Sequence, residues 1–328
     1  MKFLPDERLY SRTEYCLQFL RELNAETTKA GLQTVERYHM YWHGTFSSKQ
    51  AFAVKSFLAT QDLNNSELWL WLDSENGYAG YENNVHLKPF LSFISVKHFD
   101  PDAEARDTPL AEKTELFTRV APTQRSDFFR HVALYKHGGT YVDIDTMFLR
   151  DMSALLRSEH LNDEFCYRWS AHLPYGNSAV LRLSQYGETA RALLSKCVEV
   201  GSCRPMNVLR FEDNVNLDLL VLPCTFFDPL WSHHDRRDNY NDAPFDRFEG
   251  FFHKFGWRFK QNPTVRSYHD FFPGAFAYHW HNFWDAREYK DSYFGLFNRG
   301  FDIILREKLG IDLPAQPAQE MEDGATKK

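Results

Sequence analysis

Two aspartates near the middle of the chain have the types and the spacing to hold a divalent cation. Asp143 and Asp145 alternate with apolar residues over 141–145, which is the period of a β-strand. In a strand the two carboxylates project to the same side, roughly 6.5 Å apart. Because paired carboxylates supply the oxygen ligands that hard divalent cations prefer, this pattern predicts a metal site.

A helix is predicted directly before this strand. Ser126 is a candidate N-cap, and Gly138 and Gly139 favour the helix end because glycine readily adopts the left-handed conformation found there. Asp127 and Arg130 are three residues apart and would share one helix face. They could present polar groups to a ligand or form a surface ion pair, and the spacing alone leaves both interpretations open.

The residues upstream predict a βαβ unit. A strand over 37–42 is followed by Ser47 and Gln50, which have the spacing of a capping box, and then by a helix. The apolar run over 68–72 is typical of a central strand in a parallel sheet. Ligands of open α/β sheets bind beyond the carboxyl ends of the strands. The residues at these strand ends are Trp42, His43, Gly44 and Asp73.

The rest of the chain alternates short strands and helices around one aromatic-rich segment. Residues 224–274 are rich in aromatic, His, Asp and Asn residues and show little periodicity, which is typical of a functional loop region. Asn177, in a turn, is a candidate acceptor contact. The predicted strands are 91–99, 164–169, 215–222 and 275–284, and the predicted helices are 153–156, 189–198 and 293–309. Residues 175–181 are predicted to form a turn that leads into another strand.

Two histidines near the end of the chain are further metal-ligand candidates. His279 and His281 alternate onto one face of the predicted 275–284 strand. Imidazole nitrogens are common metal ligands, but two partly buried histidines beside core aromatics would show the same pattern. Both interpretations stay open at this point.

The composition excludes some classes of protein. The chain has 328 residues, 43% of them apolar, which suits one large α/β domain or two small ones. A net charge of −7 argues against a nucleic-acid partner. No stretch has the roughly eighteen apolar residues of a membrane span, and the first residues lack the apolar run of a signal peptide. A chain trimmed of a leader or an anchor would look the same.

The cysteines point to a reducing compartment. There are five, an odd number, and none has CxxC spacing, so we expect free thiols. We therefore expect a cytoplasmic protein, for which peripheral docking at a membrane surface is compatible with the sequence.

The spaced residues from Ser126 to Asp145 carry a resemblance to a known family. Read as Ser-Asp-x-x-Arg-x-x-x-Leu-Tyr-x-x-Gly-Gly-x-Tyr-x-Asp-x-Asp, they resemble the signature of the DXD-containing sugar-binding glycosyltransferases. That group includes mannosyltransferases and α-1,4-galactosyltransferases. Residues 39–44 resemble the family's first strand and 279–284 its late His-and-Trp segment. Phe283 stands where the family usually has Ser or Gly, so His279, His281 and Asn282 all remain candidates for the last metal ligand.

The resemblance implies a GT-A fold, which is a Rossmann-like mixed sheet flanked by helices. It also implies retaining transfer of a hexose from a nucleotide sugar, with UDP favoured over GDP-mannose, to a glycan, glycolipid or protein acceptor. Asp145 and Asp143 would hold Mn²⁺ or Mg²⁺, and Asp127 and Arg130 would contact the donor sugar. The donor-binding residues implied by position are Trp42, Gly44, Ser126, Asp127, Arg130, Tyr141 and Asp143.

The resemblance also suggests a division of the chain. We expect a helical N-terminal segment over 1–36 and a single catalytic domain over 37–312 with an aromatic-rich C-terminal extension. Residues 37–150 would bind the nucleotide sugar, and 151–312 would meet the acceptor and close the metal site. Residues 313–328 have the composition of a disordered tail.

Physical chemistry supports the same mechanism without the resemblance. A departing nucleoside diphosphate gains negative charge, which a divalent cation between the phosphates stabilises as a Lewis acid. An inverting enzyme would also need a carboxylate base beside the acceptor, for which Glu212, Asp213 and Asp218 are candidates. The alternative classes are a non-catalytic nucleotide-sugar or carbohydrate-binding protein on the same scaffold and a metal-dependent phosphohydrolase.

The metal prediction can be tested by one substitution. Asp145→Asn should abolish metal-dependent release of nucleoside diphosphate, because an amide is a poor ligand for a hard cation, while the fold stays intact. Activity is measured with Mn²⁺ and folding by circular dichroism. Full metal-dependent activity in the variant would mean that Asp145 is not a metal ligand.

Overall fold

The computed structural model describes residues 1–26, 35–73, 78–118, 120–156, 164–169, 173–234, 243–256 and 268–313. Over these residues the chain forms one large mixed sheet with helices on both faces. Its strands are β1 (Lys2–Phe3), β2 (Glu36–Trp42), β3 (Ser66–Leu72), β4 (Ser95–His98), β5 (Gly139–Val142), β7 (Phe165–Arg168), β8 (Gly176–Leu183) and β9 (Leu220–Leu222). A separate two-stranded sheet contains β6 (Thr146–Phe148) and β10 (Ala277–His279).

The large sheet is mostly parallel. The strand order is β1-β9-β7-β8-β5-β2-β3-β4, and among these eight strands β8 runs opposite to the others. Register is set by buried pairs such as Tyr38 with Thr140 and His39 with Tyr141. The ends of β2, β3, β5 and β7 and the start of β8 therefore meet at one edge, where α/β proteins bind their ligands.

Helices cover both faces of the sheet. The described helices are α1 (Arg8–Ser11), α2 (Thr13–Glu26), α3 (Ser48–Thr60), α4 (Pro101–Ala105), α5 (Glu115–Thr118), α6 (Pro122–His137), α7 (Ser153–Leu156), α8 (Glu188–Val200), α9 (Pro205–Val208), α10 (Pro229–His234) and α11 (Tyr293–Leu309). Tyr38 and Met40 of β2 face a core with α2, α3 and α11, whereas Tyr41 faces a core with α6 and α8. The predicted α/β class is confirmed.

The aromatic-rich C-terminal region packs into the first core. Phe251, Phe271 and Phe294 are buried there, and Phe52 of α3 contacts Phe294 with 4.5 Å between ring centroids. Most of these rings are therefore core residues, because burying large apolar surface is the main favourable term in folding.

Helix α6 begins earlier than predicted. It starts at Pro122, with Ala121 as the N-cap, so Ser126 lies inside the helix and the prediction of Ser126 as N-cap is wrong. Proline favours the first helical position because it needs no hydrogen bond for a backbone N–H there. The predicted helix end is correct, since Gly138 caps α6 at φ +65°.

The DXD residues lie in a turn and not in a strand. Strand β5 ends at Val142, and the chain turns through residues 143–145 before β6 begins at Thr146. The predicted alternation along a continuous strand is therefore wrong. The carboxylates of Asp143 and Asp145 converge because the backbone turns, not because of a two-residue period.

Several other boundaries differ from the prediction. Within the predicted 91–99 strand, β4 occupies Ser95–His98, and of the predicted 215–222 strand only Leu220–Leu222 pairs. The predicted strand at 275–284 ends at His279, because His281 and Asn282 adopt positive φ. By contrast, α7 and α11 have the predicted bounds, and the capping box of Ser47 and Gln50 is present.

Two cysteines are not free thiols. Cys197 and Cys203 form a disulfide, which corrects the prediction of free thiols throughout. Helix α8 ends at Val200 and Gly201 turns the chain back at φ +66°, so the two cysteines meet although they lack CxxC spacing. Of the other three cysteines, Cys16 and Cys166 are buried and Cys224 is partly buried.

The chain start is part of the large sheet. β1 pairs with β9, and Leu17 and Leu20 of α2 are buried in the core. Residues 314–328, most of the predicted tail, lie outside the described residues. In the part of the chain that the structure describes, none of the helices combines the length and the apolar character of a membrane span.

Gly139 is a position where only glycine fits. It has φ +94°, and an added Cβ would lie 2.3 Å from the carbonyl oxygen of Arg37 on β2. We expect Gly139→Ala to lower the free energy of unfolding by about 2 kcal/mol more than Gly80→Ala, because both changes strain the backbone but only the first adds a clash. At Gly80, φ is +74° and no described atom lies within 4 Å of a built Cβ.

Urea denaturation of the two variants measures this difference. Equal losses of stability would show that the close approach of Gly139 to β2 is not a constraint.

Candidate functional site

The candidate site lies at the carboxyl edge of the large sheet. The turn at 143–145 follows β5, Trp42 ends β2, Asp73 follows β3 and Asn177 lies at the start of β8. The polar residues predicted from separate parts of the sequence thus share one edge.

Pairing of β6 with β10 brings the late histidine to the DXD turn. Thr146 pairs with His279, and the N–H of Trp280 donates to the carbonyl oxygen of Asp145 at 3.0 Å. The N–H of Asn282 donates to Asp145 Oδ2 at 2.7 Å, while His279 Nε2 lies 3.1 Å from Asp145 Oδ1. Both oxygens of Asp145 are therefore engaged by the C-terminal segment.

The donor set fits a divalent cation. One ligand atom each from Asp143, Asp145 and His279 lies within 4.8 Å of the other two. Two carboxylates and an imidazole suit Mn²⁺ well and leave coordination positions for ligand oxygens. Asp143 keeps 20% of its side chain exposed, so the cluster opens to the cleft.

Electrostatics hold the cluster together without a cation. Burial lowers the pKa of His279, but the nearby carboxylates, of which Asp145 contributes most, together outweigh burial and raise the pKa to about 9. Burial opposes the ionisation of Asp145, yet His279 keeps its pKa below the ordinary value. A protonated His279 thus occupies the position of a cation between carboxylates.

Arg130 is buried and contacts several polar residues, so it does not form a simple surface ion pair. Its side chain is 5% exposed and donates to Asp143 Oδ1 and Ser178 Oγ, each at 2.8 Å. Asp127 Oδ1 lies 3.3 Å away, and the guanidinium stacks 4.6 Å from the ring centre of Tyr141. Such a fork of donors, fixed by neighbours, can bind hydroxyl or phosphate oxygens.

Burial also affects the carboxylates around Arg130. It raises the pKa of Asp127 to about 6, against the attraction of Arg130. Burial raises the pKa of Asp143 as well, again against Arg130. Both acids carry a cost for their charge that a further cation would offset.

Tyr141 and Ser126 extend this network. The Tyr141 hydroxyl donates to Asp143 Oδ1 at 2.6 Å, and Ser126 Oγ lies 2.8 Å from the same hydroxyl. The predicted sugar-binding residues of α6 and the DXD turn therefore form one hydrogen-bonded group.

A second polar cluster lies at the ends of β2 and β3. Asp73 contacts Tyr41 Oη, Arg125 Nε at 3.2 Å and His43 Nδ1 at 3.6 Å. Beside it, Trp42 lies 4.7 Å from Trp284 between ring centroids, and Gly44 turns the chain at φ +115°. An aromatic face next to polar groups suits the base and ribose of a nucleotide.

The three candidates for the last metal ligand are in different positions. His279 faces Asp145. His281 Nε2 instead lies 2.9 Å from Asp228, and Asn282 contacts Asp145 through its backbone N–H, while its side-chain oxygen accepts from Trp284 Nε1 at 3.0 Å. Among the three side chains, that of His279 is the one that faces the DXD carboxylates.

Asn177 is buried and structurally engaged. It is 5% exposed, and its Oδ1 accepts from the N–H of Ala179 at 2.8 Å. The neighbouring residue Ser178 is the one that contacts Arg130. Sequence reasoning missed Ser178, Arg125 and Asp228, because a single Ser, Arg or Asp without a repeated spacing carries no signal.

The fold and the site together define a class. A Rossmann-like, mostly parallel sheet with a DXD turn at its carboxyl edge is the architecture of GT-A glycosyltransferases. Residues 32–162 match the family model described as "Glycosyltransferase sugar-binding region containing DXD motif". Over these residues the chain is similar to the DXD-containing glycosyltransferases, and this similarity is consistent with a transferase.

A solved structure shows the same fold. The glycosyltransferase GlyE of Streptococcus pneumoniae TIGR4 is 10% identical with a TM-score of 0.50, and the match covers 87% of this chain and 66% of GlyE.

Two further solved structures are similar. PaToxG glycosyltransferase is 16% identical with a TM-score of 0.43, covering 64% of this chain and 81% of its own. An active-site mutant of LgtC is 12% identical with a TM-score of 0.43, covering 83% of this chain and 95% of LgtC. The comparison with curated proteins returned no match.

The His279–Asp145 pair predicts a pH dependence of stability. A group whose pKa is raised on folding stabilises the protein fully below its unfolded-state pKa, about 6.5 for His, and this stabilisation is lost as pH rises through the folded value. We therefore expect the free energy of unfolding of the metal-free protein to fall as pH rises through about 9.

Urea unfolding with a chelator, from pH 6 to pH 10, measures the effect. His279→Gln should flatten the fall, whereas the control His98→Gln, at an exposed position on β4, should not. Parallel pH profiles for His279→Gln and the wild-type protein would contradict the pairing.

Proposed function

We propose that the protein is a metal-dependent, retaining glycosyltransferase that moves a hexose from a UDP-sugar to a glycan or glycolipid. One observation carries the proposal. Asp143, Asp145 and His279 converge within 4.8 Å, and Arg130 ties Asp143 to Asp127 at the same place. The cation that binds the diphosphate and Arg130, which contacts the donor sugar, would then be direct neighbours.

The metal ligands we propose are Asp143, Asp145 and His279, with Mn²⁺ or Mg²⁺ as the cation. When bound, such a cation supplies Lewis-acid stabilisation of the diphosphate leaving group. Asp145, 6% exposed and held by the Asn282 N–H, keeps its geometry without the ligand. Preorganisation of this kind lowers the free-energy cost of binding.

The donor sugar would lie against Arg130 and Asp127. Arg130 is held in place by Asp143 and Ser178, which leaves little conformational entropy to lose when a sugar hydroxyl binds. Asp127 would accept a hydroxyl hydrogen bond, and ionisation with a pKa of about 6 makes it an acceptor at neutral pH. The hydroxyl of Tyr141 on β5 donates to Asp143, and Ser126 of α6 contacts that hydroxyl.

The nucleoside would occupy the ends of β2 and β3. Trp42 offers an aromatic face, and Gly44 leaves room for close backbone approach. Asp73, with Arg125 beside it, offers an acceptor and a donor for hydrogen bonds to a base or ribose. GDP-mannose is the alternative donor, and thermal-shift screening distinguishes it from a UDP-sugar.

Retention is part of the proposal because the resemblance implies it. The three carboxylates that could serve as the base of an inverting enzyme are all in surface ion pairs. Asp218 pairs with Lys2, Asp213 with Lys196 and Glu212 with Arg210. Asp218 also precedes β9, at the end of the sheet opposite the DXD turn. These positions favour a mechanism without a carboxylate base from this group.

We place the acceptor near Asn177 at the start of β8, on the sheet edge that carries the DXD turn. We propose a cytoplasmic enzyme, peripheral at a membrane, that acts on a surface-glycan precursor. The Cys197–Cys203 disulfide counts against a strongly reducing compartment.

The second candidate function is a non-catalytic nucleotide-sugar-binding protein. The ion pairs of Arg130 with Asp127 and Asp143, and the facing pair of Asp145 and His279, favour the enzyme, since a pure binder needs no cation beside the leaving group. A phosphohydrolase with two metal ions is less well supported, because it would need further carboxylates around the DXD turn.

Thermal-shift screening of nucleotide sugars tests the donor. A UDP-hexose at 100 times its Kd should stabilise the folded protein by about 2.7 kcal/mol when Mn²⁺ is present, because it binds the folded state alone. The shift should be small without Mn²⁺ and absent in Asp145→Asn. A larger shift with GDP-mannose would replace UDP in the proposal.

Product analysis separates the enzyme from the binder. Release of UDP with Mn²⁺, and an NMR spectrum of the product in which the anomeric configuration is that of the donor, would support retaining transfer. Binding without any release of UDP would favour the binding protein, and an inverted product would overturn retention.

A further inference from the structure

Asp228 is a fully buried carboxylate that the proposed reaction does not use. It is 0% exposed, and neither of its side-chain oxygens has a hydrogen-bond partner among the described residues. Its backbone is fixed between a 3₁₀-helix (Cys224–Phe226) and α10, since its N–H donates to Cys224 at 2.7 Å and its carbonyl accepts from Trp231 at 3.1 Å. Burying an unpaired carboxylate is costly, so its neighbours should explain it.

The neighbours of Asp228 are the two late histidines. His281 Nε2 lies 2.9 Å from Asp228 Oδ2, and His279 Nδ1 lies 3.9 Å from the same oxygen. These two ring nitrogens also lack a hydrogen-bond partner within the described part of the chain. The carboxylate therefore forms a close polar contact with His281 and a longer electrostatic contact with His279.

His279 lies between two carboxylates. Its Nε2 faces Asp145 at 3.1 Å, and its Nδ1 faces Asp228. His281 stacks on it with 4.1 Å between ring centroids, and Phe248 contacts the His281 ring at 4.2 Å. The packing limits rotation of both rings, so Nδ1 of His279 stays directed at Asp228 while its Nε2 stays directed at Asp145.

We propose that Asp228 is the positioning residue of the metal site: its carboxylate faces Nδ1 of His279 and attracts the ring proton to that nitrogen, so that the unprotonated Nε2 of His279 is presented to the cation. This inference rests on the proposed metal site. Histidines that bind metals usually donate their other N–H to a carboxylate or carbonyl, and removal of that partner typically weakens metal affinity 10–100-fold.

The geometry favours this role over a second metal site. Asp228, His279 and His281 could themselves surround an ion, since their ligand atoms lie within 4.8 Å of one another. Asp228 is completely buried, however, whereas Asp143 on the other side of His279 is 20% exposed. A cation that must meet a diphosphate therefore binds on the Asp143 side.

Asp228→Asn tests the role, because an amide keeps the shape but can donate to a ring nitrogen and favour the wrong tautomer. We measure binding of Mn²⁺ alone, without any nucleotide sugar, by isothermal titration calorimetry and by the electron paramagnetic resonance signal of free Mn²⁺. The wild-type protein should bind one ion, and the variant should bind it with a Kd raised 10–100-fold. Circular dichroism and the melting temperature without metal report folding.

Tyr278→Phe is the matched control. Its hydroxyl is buried on the same strand β10, and that hydroxyl has no hydrogen-bond partner among the described residues. Its removal should leave the Kd for Mn²⁺ unchanged, because it touches neither ring nitrogen. Equal weakening by both variants would mean that general loss of packing explains the effect, and this would overturn the proposal.

A spectroscopic measurement keeps the proposal testable if Asp228→Asn does not fold. In the wild-type protein loaded with diamagnetic Mg²⁺, ¹⁵N NMR should show His279 protonated at Nδ1, with its assignment made from His279→Gln. Protonation at Nε2, or no binding of Mn²⁺ or Mg²⁺ at all, would overturn the positioning role.

Two further outcomes separate this inference from others. If the wild-type protein binds two ions and Asp228→Asn loses one, Asp228 is itself a ligand and the proposal falls. If no nucleotide sugar binds but Asp228→Asn still weakens Mn²⁺ binding, the positioning role stands and the proposed donor falls.

Discussion

The antiparallel pairing of β6 with β10 is the constraint on which the rest of the site depends. It joins the segment after the DXD turn to a strand far downstream in the chain, so that Thr146 lies opposite His279. The N–H groups of Trp280 and Asn282 then fix the backbone and the carboxylate of Asp145. Without this two-stranded sheet, Asp143 and Asp145 would be two acids on a surface turn, and His279 would not lie beside them.

The same pairing places several buried charges together. Asp127, Asp143, Asp145 and Asp228 surround two cationic groups, Arg130 and His279. Because burial disfavours charge, the acids gain from every cation nearby, and the site is prepared to accept a divalent ion. Arg130 is held by Asp143 and Ser178, so the proposed sugar contact and the proposed metal ligands share one hydrogen-bonded network. A buried site of this kind strengthens each electrostatic interaction relative to water.

Local patterns were enough for much of the fold. The capping box at Ser47 and Gln50, the apolar run that became β3, and the long helix α11 depend on residues close in sequence, and the structure confirms them. The predictions were wrong where one local sequence pattern is compatible with two different backbone structures. Alternating residues around Asp143 fit a strand or a turn, and the chain turns because β6 must leave the large sheet to meet β10. The disulfide of Cys197 and Cys203 likewise depends on how α8 ends.

The sequence by itself determined the class of chemistry and the residues that could perform it. The spacing from Ser126 to Asp145 identified the sugar-binding region, because its elements are contiguous and their geometry follows from helix and strand periods. Only the tertiary structure decided that His279 and not His281 faces Asp145, that Ser178 holds Arg130, and that Asp228 lies behind the histidines. These contacts join residues far apart in the chain, and their geometry is set by strand pairing and core packing, which no local pattern encodes.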